Sequence, residues 1–289
     1  MAFYAFRTQL IPSAPKYTEE DCPNQKGKVF IVTGSNTGIG FALAKVLYSK
    51  EARVYMATRT KAKALAAIKE IESIPTPTPG ELRFLSLDLS NLSSIKSTVE
   101  EFQRQETELH VLWNNAGIGL VPRTITPEGY DIYIATMCLG PHILTQLLLP
   151  QLRRAASQAP SASVRIIWTA SRLMDTDAPP GGLVLSECTD PVLGQTRRSY
   201  ASSKAGNYFL GSVFAKNLKD DGIVSLTINP GNLRTQIYDK APKLLVWLFS
   251  PVIYDLKYGA YTGLWSGLSD DVTIVNILCY DKRVLLTRT

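Results

Sequence analysis

The chain has 289 residues, 45% of them hydrophobic, with four cysteines, two histidines and a formal net charge of +6. That hydrophobic share supports a packed core and excludes a disordered chain, and the charges are scattered, without the dense Lys/Arg block of a nucleic-acid binder. Two histidines and the unpaired spacing of Cys22, Cys138, Cys188 and Cys279 argue against a metal centre or a disulfide frame and point to reduced thiols in the cytoplasm.

The start, "MAFYAFRTQLIPSAP", is apolar in patches but lacks a basic region followed by a long hydrophobic one. It reads as an N-terminal arm over residues 1–25, ahead of one domain over 26–289. No apolar run approaches the ~20 residues that a membrane helix requires. "KVFIVT" (28–33) is a β-branched run ending in glycines, which suits a buried parallel strand. "FALAKVLYSK" (41–50) shows helical spacing, "RVYMAT" (53–58) is strand-like, and "KAKALAAIKEIES" (61–73) is helical. "LRFLSLDL" (82–89) reads as a third strand and "SSIKSTVEEFQRQ" (93–105) as a third helix. "HVLWNNAG", "VRIIWTAS" and "IVSLTINPG" supply three more strands, with long helical segments before the last two. Residues 175–196 form an irregular Pro/Gly-rich insertion. Repeated β-α units predict a single-domain α/β fold of Rossmann type, a doubly wound parallel sheet with helices on both faces.

"VTGSNTGIG" places Gly34, Gly38 and Gly40 between a strand and a helix. Glycines let the backbone turn tightly and approach a pyrophosphate, and the helix start offers free N–H groups. A purely structural glycine turn is the other reading; the strand-turn-helix setting favours a dinucleotide. The second strand ends "ATRTKAK", with Thr58 where an NAD site usually has an acid, then Arg59, with Lys61 and Lys63 nearby. A guanidinium suits a 2′-phosphate, so NADP is the expected cofactor. No G-x-S-x-G elbow supports a hydrolase, and neither His110 nor His142 sits in a triad context.

"RSYASSKAGN" contains Tyr200 and Lys204 at i, i+4, on one helix face. Spacing alone does not make them a catalytic pair, but six motifs recur in order. They are Thr33-Gly34-x-x-x-Gly38-x-Gly40; Asp88 in "LDLS"; "NNAG" at 114–117; Ser171 closing "IIWTAS"; Tyr200-x-x-x-Lys204; and "NPGNLRT" at 229–235. Together they make the chain resemble the short-chain dehydrogenase/reductase family, nearest to retinol-dehydrogenase-like and filamentous-fungal reductases, over about residues 25–275.

The resemblance implies roles. Ser171, Tyr200 and Lys204 would be catalytic, with Ser171 hydrogen-bonding the substrate oxygen and Tyr200 exchanging its proton. A neighbouring ammonium would lower the phenol's pKa from its usual value near 10. Gly34, Asn36, Gly38, Ile39, Gly40, Arg59, Asp88 (at adenine), Asn115, Tyr200, Lys204 and Thr235 (at the nicotinamide amide) would bind cofactor. No metal is expected. The implied reaction is NADP-dependent interconversion of a carbonyl and an alcohol on an apolar small molecule, in secondary metabolism.

Two departures stand out. Met137 occupies the place of an asparagine that in the family helps organise a helix distortion and a water leading from the lysine; a thioether has no N–H donor. The tail "NILCYDKRVLLTRT" does not match the family's last strand. Both favour the alternative of a catalytically impaired dinucleotide-binding protein. The apolar segment 241–256, "APKLLVWLFSPVIYDL", suits a substrate lid, and equally a core contact, a homodimer contact or a membrane-surface contact.

Overall fold

Each short β-branched run becomes a strand. β1 (Val29–Thr33), β2 (Arg53–Thr58), β3 (Glu81–Ser86), β4 (Val111–Asn114), β5 (Arg165–Thr169) and β6 (Val224–Ile228) form one parallel sheet in the order β3-β2-β1-β4-β5-β6. The computed structural model describes residues 12–119, 121–190, 196–234 and 252–274. Ile31 of β1 lies between Tyr55 of β2 and Leu112 of β4 in register. The chain order reverses between β1 and β4, which opens a crevice at the carboxyl ends of the strands.

Helices cover both faces, as parallel crossovers require. On one face α1 (Gly38–Ser49), α2 (Lys61–Glu72) and α7 (Leu256–Leu268) pack Leu43, Leu47, Ile68 and Leu264 onto Phe30, Val32 and Trp113. On the other, α3 (Ile95–Gln105), α4 (Ile132–Gln158) and α6 (Thr196–Leu218) pack Phe102, Leu148 and Phe214 onto Ile31, Ile166 and Trp168. Successive strand residues alternate between these two cores, so every position of β1 is buried. A short α5 (Leu173–Asp177) and a 3₁₀ turn at Leu185–Cys188 lie in the insertion before α6.

Two boundaries and one reading of an apolar segment depart from expectation. The first helix begins at Gly38, so the turn's own glycines enter it. The third strand ends at Ser86, because Asp88 Oδ1 accepts from Ser90 N (2.9 Å) and Ser90 Oγ (2.6 Å) and turns the chain. Helix α4 corrects the membrane reading. By length and composition it could cross a membrane, but 61% of its apolar window is buried inside the protein, and Leu144, Leu148 and Leu152 belong to the core.

Inside α4, residues Ala135–Leu139 form a π turn. The distortion associated with asparagine in the family is therefore present with Met137 at its centre, fully buried. The residues of the unmatched C-terminal tail beyond 274 lie outside the described residues.

Candidate active site

The glycine turn is assembled by one hydroxyl. Thr33, the last residue of β1, donates from Oγ1 to Trp113 O (3.1 Å) and accepts from Asn115 N (3.0 Å) and Ala116 N (2.9 Å). Asn115 Nδ2 returns a bond to Thr33 O (2.9 Å). Thus "NNAG" braces the turn from the neighbouring strand. The fit leaves no room for side chains. Gly34 has φ +66, and a Cβ there would lie 2.8 Å from Ala116 Cα. At Gly40 it would lie 2.7 Å from Gly34 O and from Asn115 Nδ2.

Thr37, the residue before α1, is extended and its side chain makes no cap bond. The first N–H groups of α1 are therefore left for another acceptor, the condition that suits a phosphate. Asn36 and Ile39 are half-buried on this turn, and Ile39 and Leu233 both press on Gly259 of α7. At the end of β2, Thr58 is buried and its hydroxyl has no partner. Arg59 is exposed and enters no ion pair among the described residues. Asp88 follows Leu87, whose N–H bonds Thr58 O (3.1 Å), so it stands beside the same strand end.

The proposed acid-base residues meet at the carboxyl end of β5. Thr169 ends that strand, and its carbonyl accepts from Lys204 Nζ (2.9 Å). Ser171, two residues on, faces the Tyr200 phenol closely enough to lower its pKa. Lys204 Nζ lies 5.7 Å from the centre of the Tyr200 ring. The i, i+4 pair does share a face, and α6 aims it at the crevice. Gly117, at the end of "NNAG", faces both Lys204 Nζ and Met137 Sδ, which lie 3.6 and 3.3 Å from the point where its Cβ would be.

The electrostatics correct one expectation. The Tyr200 phenol is raised, chiefly by burial; Ser171 pulls it down and Tyr133 adds to the rise. The lysine does not offset burial, and desolvation lowers its own ammonium to about 8.

Asn207 was not marked by the sequence. It is buried one turn beyond Lys204 and donates from Nδ2 to the same Thr169 carbonyl (3.0 Å), while its Oδ1 is sealed without a partner. Its i, i+3 spacing from Lys204 is the signal that could have found it. Thr235 and residues 241–251 lie outside the described residues. A cavity of about 220 Å³ is walled by Pro12–Pro15 of the arm, the 229–233 loop after β6, and Tyr254, Tyr258 and Thr262.

Comparison with known proteins adds four findings. A family model for short chain dehydrogenases matches residues 28–243. A short-chain dehydrogenase/reductase of Pestalotiopsis fici is 43% identical over 276 residues, spanning 94% of this chain and 85% of that relative. Among solved structures, the Pseudomonas aeruginosa RhlG/NADP active-site complex superposes with a TM-score of 0.67 at 21% identity, covering 87% of this chain and 94% of that one. A 3-ketoacyl-(acyl-carrier-protein) reductase from Brucella melitensis complexed with NADH gives 0.66 at 20% identity, covering 86% and 95%. The two solved structures share the fold and hold different nicotinamide dinucleotides.

Proposed function

The chain belongs to the short-chain dehydrogenase/reductase family of oxidoreductases, and from that premise we propose that it uses NADP to interconvert a carbonyl and an alcohol on an apolar small molecule. The observation that carries the reading is the meeting of Ser171, Tyr200 and Lys204 at the end of β5, across the crevice from the glycine turn. The bound dinucleotide supplies the hydride for reduction and accepts it in the reverse direction. The remaining work belongs to side chains. Ser171 holds the substrate oxygen. Tyr200, kept protonated by burial, gives that oxygen its proton. Lys204 places a positive charge behind the phenol and favours the phenolate that remains.

The residues present fit the cofactor. Gly34, Gly38 and Gly40 admit a close pyrophosphate, and the uncapped N–H groups of α1 would hold it. Asn36, Ile39 and Asn115 line this approach, Asp88 would take the adenine, and Lys204 and Thr235 would hold the nicotinamide end. Thr58 brings no negative charge, and the exposed Arg59 beside it, in no ion pair among the described residues, suits a 2′-phosphate. The apolar lining of the neighbouring cavity supports an apolar substrate. We further place this reaction in the cytoplasm and in secondary metabolism.

The test is direct. Titrate NADPH and NADH by fluorescence, and follow NADPH consumption over a panel of apolar ketones that includes α-tetralone. A charge-assisted pair is worth about 1.5–3 kcal/mol, so wild type should prefer NADPH by roughly tenfold or more, and Arg59→Ala should erase that preference. Equal affinities in wild type would remove the NADP assignment.

Met137 favours a second reading. Its thioether and the Lys204 ammonium both face Gly117, where a polar side chain in place of the thioether would lead protons away. Because Ser171, Tyr200 and Lys204 are in place, we expect a slowed reductase, losing only part of the ~10²–10⁴-fold that acid-base catalysis contributes. Met137→Asn is expected to raise turnover while keeping the melting temperature. An asparagine left without partners would instead cost about 1–3 kcal/mol of stability. If wild type and variant both bind NADPH and neither reduces any ketone of the panel, the protein is a dinucleotide-binding module.

A further inference from the structure

Tyr133 touches both sides of the crevice. It lies in the first turn of α4, and its side chain is fully buried. Its hydroxyl accepts from Val121 N (2.7 Å) and faces two carbonyls, Val121 O (2.6 Å) and Gly119 O (3.2 Å). A phenol has one hydrogen, so it serves one carbonyl at a time, and Val121 is the nearer. The loop that leaves "NNAG" is thus pinned by its backbone, which leaves the Val121 side chain 38% exposed. The same ring stands edge-on to Tyr200, with centres 6.4 Å apart and planes at 81°.

The turn that carries Tyr133 is itself fixed. Asp131 Oδ1 accepts from Tyr133 N (2.9 Å), and Asp131 Oδ2 accepts from Arg123 Nε (2.6 Å) farther along the same loop. Loop, helix start and Tyr200 ring therefore share one strut. We propose that Tyr133 is a positioning residue that couples the backbone at Gly119 and Val121 to Tyr200, so that the wall presented at Val121 and the proton-donating ring are set by one side chain. This rests on the reading of Tyr200 as the proton donor.

Two variants of the full-length chain separate the two contacts. Tyr133→Phe keeps the ring against Tyr200 and removes the clamp on the loop. Tyr133→Leu removes both. Amide hydrogen exchange reports on Val121, and carbon-13 tyrosine NMR follows the Tyr200 titration, its signal being the one lost in Tyr200→Phe. In Tyr133→Phe the Val121 amide is expected to exchange about tenfold faster or more. For α-tetralone, KM should rise roughly threefold or more while kcat stays within about twofold. In Tyr133→Leu, kcat should also fall by about tenfold, and the Tyr200 titration should move down as water reaches the phenol.

An unchanged Val121 exchange in Tyr133→Phe overturns the proposal. So does a Tyr133→Leu protein whose Tyr200 titration and kcat both stay at wild type. Should Tyr133→Leu fail to fold, Tyr133→Phe decides alone. Exchange and titration need no substrate. If they respond while Tyr200→Phe keeps its turnover, the donor role of Tyr200 falls and the coupling stands.

Discussion

Replacing Tyr200 by Phe is expected to cut turnover by about 10²–10⁴-fold while NADPH affinity and melting temperature stay near wild type. One hydroxyl is lost, and with it the proton donor; the ring against Tyr133 and the glycine turn remain. Turnover within about tenfold of wild type would mean that another group carries the proton. Lys204→Ala should differ, losing rate and cofactor affinity together, because one ammonium serves both. The pH dependence follows from the same two groups. Tyr200 is held protonated by burial, so it stays competent as an acid through neutrality. Lys204 is the earlier group to titrate, at about 8. Ketone reduction should therefore hold below that pH and decline above it, as the positive charge behind the phenol is lost. A reduction rate that is flat from pH 7 to 10 would remove Lys204 from this role.

Asp131→Ala is expected to be the costliest substitution for stability. Asp131 is fully buried, pairs with Arg123 at 2.6 Å, and caps α4 at Tyr133 N and Ile134 N. Its removal takes the Asp131 carboxylate away from the Arg123 guanidinium, itself only 6% exposed. Breaking one partner of a buried pair costs about 3–5 kcal/mol. For a domain of this size that is a fall in melting temperature on the order of 10 °C. Replacing both partners with leucines should recover part of the loss, since no buried charge then remains. A melting point within about 2 °C of wild type for Asp131→Ala would show that Arg123 is satisfied instead by water or by the Glu187 and Asp190 carbonyls, to which it donates at 3.2 and 3.0 Å.

The sheet was legible because its strands are β-branched runs bounded by glycine and polar turns, and because helix-period segments alternate with them. The glycine turn and the Tyr200–Lys204 pair were legible for a related reason: their spacing is local, and their geometry follows from a strand end or a helix face. What the sequence hid is tertiary. Asn207 looks like any polar residue on α6 until the fold brings the Thr169 carbonyl under it. Tyr133 reads as one of 13 tyrosines until its hydroxyl meets Val121. The direction of the Tyr200 shift was misread for the same reason. Adjacency to a lysine is visible in one dimension, whereas desolvation depends on what the fold stacks around the ring.

The Thr33 hydroxyl has a consequence for how the molecule forms. Its partners Trp113, Asn115 and Ala116 lie 80 to 83 residues away in the chain. β1, β2 and β3 follow one another closely and pair as neighbours, whereas β1 meets β4 only after that long loop closes. Contacts of such separation collect their free energy after the entropy of closure has been spent, so they form late. The glycine turn is therefore completed at the seam between an early, local half of the sheet and a late, distant one. Helical signal can return on refolding before any dinucleotide can be held. Until the seam closes, the apolar edges of β1 and β4 stay open to other chains, and aggregation competes with the last step of assembly.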